Sequence, residues 1–140
     1  MPKKKTVIKK DEVKIKAVGR RREAIASVTM VPGVGEIIIN KISGQVYFPG
    51  KMEQMLLKKP FEVTETLNKY SLFIRARGGG KMGQLEAVVL GIARSLVKIN
   101  QTYKPLLRRA DLLTRDPRQR ERRKVGTGGK ARRQKQSPKR

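Results

Sequence analysis

The positive charge of this chain is gathered at its ends, and that distribution restricts it to a small folded body carrying cationic appendages. Residues 115–140 hold 12 Lys and Arg against two acids, a net of +10, whereas residues 17–114 carry only +9 over nearly four times the length. Residues 1–16 add a further +5, bringing the total to +24. Such an excess repels itself and opposes compaction unless a polyanion neutralises it. Nucleic acid is the natural counterion, since a surface charged only for solubility would spread its cations. The chain therefore divides into a basic N-terminal extension (1–16), a globular domain (17–114) and a basic C-terminal tail (115–140), the middle part long enough for one modest core.

The remaining composition removes whole classes of function. The sequence has no Cys and no His, so disulfides, thiolate nucleophiles, the usual zinc sites and imidazole bases are all absent. No enzyme activity and no cofactor are expected. The longest apolar runs, such as Ile37-Ile38-Ile39, fall far short of the roughly 20 residues that span a bilayer, so a membrane is not an expected partner. The first residues contain lysines but no continuous apolar segment, and no secretory leader or transit peptide is expected from them.

Between the charged ends the apolar pattern alternates between strand and helix periods. Ala24, Ala26, Val28 and Met30 share one face by period two, and Pro32-Gly33-Val34-Gly35 leads into Glu36 to Asn40, which reads as a hairpin. Met52, Met55 and Leu56 have helical spacing on a short helix that covers a sheet face and that Pro60 should stop at or before Lys59. Tyr70, Leu72, Ile74 and Ala76 alternate with Ser71, Phe73, Arg75 and Arg77, a further strand ending at Gly78-Gly79-Gly80. Met82, Leu85, Val89, Ile92, Leu96 and Ile99 then place a stripe on the main helix, opposite Gln84, Arg94 and Lys98. Leu106, Leu107, Leu112 and Leu113 suggest a docked segment beyond Asn100. Asp116-Pro117 reads as an N-cap and first position of a basic helix ended by Gly126. Residues 127–140, with Ala131 as their one apolar side chain, should be disordered without a partner. Interleaved strands and helices favour an α/β sheet with helices packed on it.

Three motifs invite chemistry. Gly78-Gly79-Gly80-Lys81-Met82-Gly83 satisfies the dinucleotide pattern G-x-G-x-x-G between a strand and a helix, but no acid lies between Glu86 and Asp111 to hold a ribose. The plainer reading is a tight strand-to-helix turn, compatible with helix-start amides and Lys81 holding an RNA phosphate. Neither Gly80-Lys81 nor Gly129-Lys130 is followed by Ser or Thr, so no P-loop is complete. Gly19-Arg20-Arg21-Arg22, placed just before a strand, offers three guanidinium groups for phosphates; the bland alternative is a solvated charge run. The pairs Glu62/Glu65 and Asp111/Asp116 are better read as ion-pair partners than as an acid and base. None of the three Phe and three Tyr lies in the tail, so its contacts must be to phosphates and RNA shape rather than to stacked bases.

From Val18 onward the chain resembles the bacterial-type small-subunit ribosomal proteins numbered nine. The resemblance rests on Gly19-Arg20-Arg21-Arg22-Glu23-Ala24-Ile25-Ala26, on Val31-Pro32-Gly33-Val34-Gly35 with Ile37-Ile38-Ile39-Asn40, and on Gly78-Gly79-Gly80 followed by Gly83-Gln84 and Gly91-Ile92-Ala93-Arg94. Leu113-Thr114-Arg115-Asp116-Pro117-Arg118, Glu121-Arg122-Arg123-Lys124 and Lys130-Ala131-Arg132-Arg133 continue it through the tail. The resemblance implies a two-layer α/β (α+β) sandwich with a left-handed β-α-β crossover, seated among neighbouring ribosomal proteins in the small-subunit head on the 3′ major domain of its rRNA. It also implies a tail that reaches P-site tRNA through Lys139 and Arg140. Here Pro138 separates Ser137 from those two cations, and the family's usual Phe is absent from Gln134-Lys135-Gln136. The rRNA grips expected on this basis are Arg20, Arg21, Arg22 and Lys81 on the body and Arg115, Arg118, Arg120, Arg122, Arg123, Lys124, Lys130, Arg132 and Arg133 in the tail. The implied location is the ribosome of a bacterial cytoplasm or of an organelle interior, plastid stroma or mitochondrial matrix. Two rival readings are a free nucleoid-like or RNA-chaperone protein, which would not sediment with small subunits, and a nucleotide-dependent enzyme, which would show a thermal shift with nucleotides.

Overall fold

A computed structural model describes residues 14–122 and residue 124. Five strands form one sheet: β1 (Ile15–Arg21), β2 (Ala24–Pro32), β3 (Ile37–Ile39), β4 (Ile42–Ser43) and β5 (Tyr70–Arg77). Helix α1 (Gly44–Tyr47) and helix α2 (Lys51–Val63) precede β5, and α3 (Lys81–Ile99) and α4 (Tyr103–Arg109) follow it. The spatial order is β1-β2-β5-β3-β4, antiparallel throughout except that β3 runs parallel to β5. This is a mixed α/β sandwich, and β3, the two short helices and β5 make the parallel crossover unit that the resemblance implies. Among the described residues no helix is long and apolar enough to cross a membrane.

The hairpin expected between β2 and β3 does not form. β2 pairs with β1 on one side and β5 on the other, while β3 lies beyond β5. The turn residues after Pro32 instead cross the end of β5, held by Gly33 N donating to the Lys69 carbonyl (3.1 Å) and Leu72 N to that of Glu36 (2.7 Å). The two hairpins are β1–β2, turning at Arg22 with φ +50°, and β3–β4, turning at Asn40 and Lys41 with φ +49° and +69°. Positive φ at both central residues is the turn whose twist suits a two-residue hairpin, and Asn tolerates it well. Asn40 also acts as an extra rung of the sheet: its Oδ1 accepts from Ala76 N (3.0 Å) and its Nδ2 donates to the Ala76 carbonyl (2.8 Å).

One sheet face is covered. Helix α3 lies along β1 and β2 and buries Leu85, Val88, Ile92 and Leu96 against Ala24, Ala26, Val28 and Met30. Of the stripe expected on α3, Leu85, Ile92 and Leu96 are fully buried, Val89 and Ile99 are partly so, and Met82 is exposed. Phe48, Leu57, Phe61 and Leu107 bring α1, α2 and α4 into the same core, and Leu112 and Leu113 pack against it from beyond α4. Helix α2 continues through Pro60 to Val63 rather than stopping before it, and it buries Leu57, Pro60 and Phe61 while Met52 and Met55 stay exposed. Burial of this last turn outweighs the backbone hydrogen bond that proline cannot donate, and Thr64 Oγ1 donates to the Pro60 carbonyl at 2.9 Å.

Candidate nucleic-acid interface

The three basic arginines after Gly19 are not a loop before a strand. Arg20 and Arg21 are the last residues of β1 and Arg22 is the turn. Successive strand residues face opposite sides of a sheet, so the three guanidinium groups part. Arg20 is exposed on the sheet face away from the helices, Arg22 is exposed at the hairpin tip, and Arg21 points in under α3, only 7% exposed.

Arg21 is the centre of an ionic clasp. Its Nε donates to Glu86 of α3, its Nη2 lies 2.9 Å from Asp116 Oδ2, and its Nη1 donates to the Arg118 carbonyl at 3.0 Å. Hydrogen bonds from Arg118, first its side chain and then its backbone N–H, hold the Asp116 carboxyl far below the ordinary carboxylate range. A lowered pKa means stability that is complete above the ordinary carboxylate range and is lost only as pH falls through the lowered value. Near neutrality the Asp116 arm of the clasp is therefore indifferent to pH. Three parts of the chain distant in sequence thus meet at one side chain, which fastens the start of the tail to the body.

The same contacts explain why no helix follows Asp116. Its Oδ1 accepts from Arg118 N (2.9 Å), as an N-cap would. However, the Arg118 carbonyl that a helix would offer four residues on is turned to Arg21, and residues 115–122 have no regular structure. A helix would also stack like charges at Arg118 and Arg122, which destabilises it. The expected terminator Gly126 lies outside the described residues.

Beside the clasp runs a shallow groove lined by Arg21, Arg22, Glu23, the glycines at 79, 80 and 83, and Gln119 and Arg120 of the tail. The glycine run here is a turn: Gly78 and Gly79 have φ +74° and +60°, and a Cβ on Gly78 would stand 2.5 Å from the Glu23 carbonyl oxygen. Lys81, expected beside the helix-start amides, has its Nζ 3.5 Å from the centre of the Tyr47 ring, a cation–π contact that sets it on α1.

Of the expected tail grips, Arg115, Arg118, Arg120, Arg122 and Lys124 are exposed, with Arg118 engaged by Asp116. Arg123, Lys130, Arg132, Arg133, Lys139 and Arg140 lie outside the described residues, as do residues 127–140 with their expected disorder and residues 1–13 of the N-terminal extension. Asp116 is an ion-pair partner as expected; among the described residues Glu62, Glu65 and Asp111 form no ion pair. The anchoring role of Arg21 has no local signal, because its partners are 65 and 97 residues away.

Replacing Arg21 by Gln is expected to free the tail root. Amide exchange in the segment 114–120 should quicken about tenfold or more, because the tail root loses Arg21's charge-assisted contacts to Asp116 and to the Arg118 carbonyl; hydrogen-exchange mass spectrometry on both forms checks it. Equal rates would mean that Arg21 does not hold the tail.

Comparison with known proteins returns one consistent result. Residues 19–140 match the family model described as Ribosomal protein S9/S16. The chain is 44% identical over 115 residues to the small ribosomal subunit protein uS9 of Methylacidiphilum infernorum, covering 82% of this chain and 85% of that one. It is 46% identical over 112 residues to its namesake in Mycobacterium ulcerans, covering 80% of this chain and 74% of the relative.

Proposed function

Because the chain belongs to the ribosomal protein S9/S16 family, and so has a structural role in the small ribosomal subunit rather than an enzymatic one, we propose that it binds rRNA of the subunit head, in the 3′ major domain, and reaches P-site tRNA with its tail. The observation that carries this reading is the clasp. It fixes the tail root beside the groove, where Arg22 and Arg120 remain exposed, so cations continue from the body into the tail. In this reading the body at 17–114 braces the rRNA fold among neighbouring head proteins. The tail at 115–140 neutralises phosphates where helices crowd. Arg20, Arg22, the exposed Lys81 and the tail cations from Arg115 to Arg133 are the phosphate grips, with Arg21 supporting them from its buried position. Phosphate contacts position such a protein without reading sequence. Its compartment is that of the ribosome it serves, bacterial cytoplasm or organelle interior.

Sucrose-gradient sedimentation of the tagged chain, with crosslinking and sequencing of RNA from the small-subunit peak, tests this. Crosslinks confined to the 3′ major domain support the reading; scattered crosslinks without a subunit peak leave only a general polyanion binder. For the tip, deleting Lys139 and Arg140 is expected to leave subunit assembly intact while raising the rate of P-site tRNA loss about threefold to tenfold, the scale of roughly 1 kcal/mol. Unchanged tRNA dissociation from otherwise normal subunits would refute the tip assignment.

A further inference from the structure

The helices cover one face of the sheet and leave the other bare. That open face carries Lys16, Arg20, Arg75 and Arg77, with Val18 and Ile25 between them and Phe73 in the row beyond Arg75. Strand register sets the spacing. Arg20, Ile25 and Arg77 form one row across three strands, Val18, Ser27 and Arg75 the next, and Lys16, Thr29 and Phe73 the third. The four cations are exposed, and none makes an ion pair among the described residues. Among the described residues no carboxylate lines the face. A bare sheet face is ordinarily polar and mixed in charge, or apolar and covered; on this one the charged groups of the described residues are all cationic, with Phe73 and a few aliphatic side chains beside them.

We propose that this open sheet face is a second RNA-binding surface, separate from the groove and the tail. The sugar-phosphate backbone lies on Arg20, Arg75 and Arg77, and an unpaired base stacks on Phe73. The charge argues for a polyanion over an apolar partner: four desolvated cations facing a protein surface would need matching carboxylates, whereas phosphates supply them at regular spacing. The ring argues for an unpaired segment, since a base can reach an aromatic on a flat sheet only when it is splayed from its helix. Ser27 and Thr29, between the cations, put hydroxyls where a ribose 2′-OH can pair. The inference rests on the rRNA reading above and adds to it a surface and the form of RNA it takes.

The test places a photo-crosslinking phenylalanine analogue at position 73 of the full chain and isolates small subunits after irradiation. A crosslink to an unpaired rRNA segment supports the proposal. A crosslink to a ribosomal protein, or none from subunits that contain the chain, overturns it. Failure of the chain to enter subunits sinks the rRNA reading itself and the inference with it. The double variant Arg75→Gln/Arg77→Gln, whose side chains are exposed and so should leave the melting temperature unchanged, provides a second measurement. Its affinity for head rRNA should fall about tenfold, with a salt slope shallower by about 1.5, the share of two phosphate contacts. An unaltered slope overturns the proposal independently.

Discussion

Removing residues 115–140 will flatten the salt dependence of rRNA binding. Each phosphate contact releases condensed counterions and contributes about 0.7 to 0.9 to the slope of log affinity against log salt. The deleted segment holds 12 of the 35 Lys and Arg. With half or more of those cations on phosphates, the slope should become shallower by about 4 to 11. The full chain should lose about 10³-fold to 10⁵-fold in affinity between 50 and 200 mM salt, and the truncated chain far less. Fluorescence anisotropy with a head-domain rRNA fragment at several salt concentrations measures both. If truncation left the slope alone, the dominant contacts would belong to the body, and the tail's charge would serve another purpose. The truncated body should still fold, because among the described residues the core ends at Leu113.

The second large effect is predicted at a residue that carries no charge. Gly19 lies in β1 where α3 crosses it, and a Cβ there would stand 1.7 Å from the Ala87 carbonyl oxygen and 2.6 Å from Gly91 N. Both are backbone atoms of α3, so neither can rotate aside. Gly91 is the matching position on the helix, where an added Cβ would meet Val28 Cγ2 at 2.6 Å. The strand and helix touch through two glycines, and Gly19→Ala must push them apart along the main packing contact of the domain. Overpacking on this scale costs about 3 kcal/mol, equivalent to a melting temperature lowered by about 10 to 20 °C for a domain of this size. Gly80→Ala is the control, since nothing lies within 4 Å of its would-be Cβ, and it should melt close to the parent. Calorimetry on the three proteins decides the matter. Equal melting temperatures for Gly19→Ala and the parent would show that β1 and α3 separate without cost.

Gly19 also shows how sequence can mark a residue for the wrong reason. Beside three arginines it reads as part of a phosphate grip, yet its role is to let a strand lie under a helix. The arginines themselves divide because a strand alternates faces, and only Arg20 and Arg22 stay exposed. The period-two run at residues 70–77 and the period-3.6 run starting at Met82 were readable, since each buries one face and the spacing of apolar residues records which. The partner of β2 is not legible after Pro32, because turn residues state that the chain bends and not which strand it next meets. The helix through Pro60 is not legible either, because propensity is local, whereas the burial of Phe61 is set by residues far away in the sequence.

The sequence by itself determined the uneven spread of charge along the chain, the absence of imidazole and thiol side chains, and the main helix with the strand before it. These follow from composition and periodicity, which local chain geometry is enough to interpret. Only the tertiary structure decided the strand order, the clasp of Arg21 with Glu86 and Asp116, and the gathering of Lys16, Arg20, Arg75 and Arg77 on one bare face. Those features depend on which distant segments meet. Strand pairing between residues 35 to 52 positions apart and ionic contacts between residues 65 or more apart are chosen by the free energy of the whole packed core, and no local pattern records that choice.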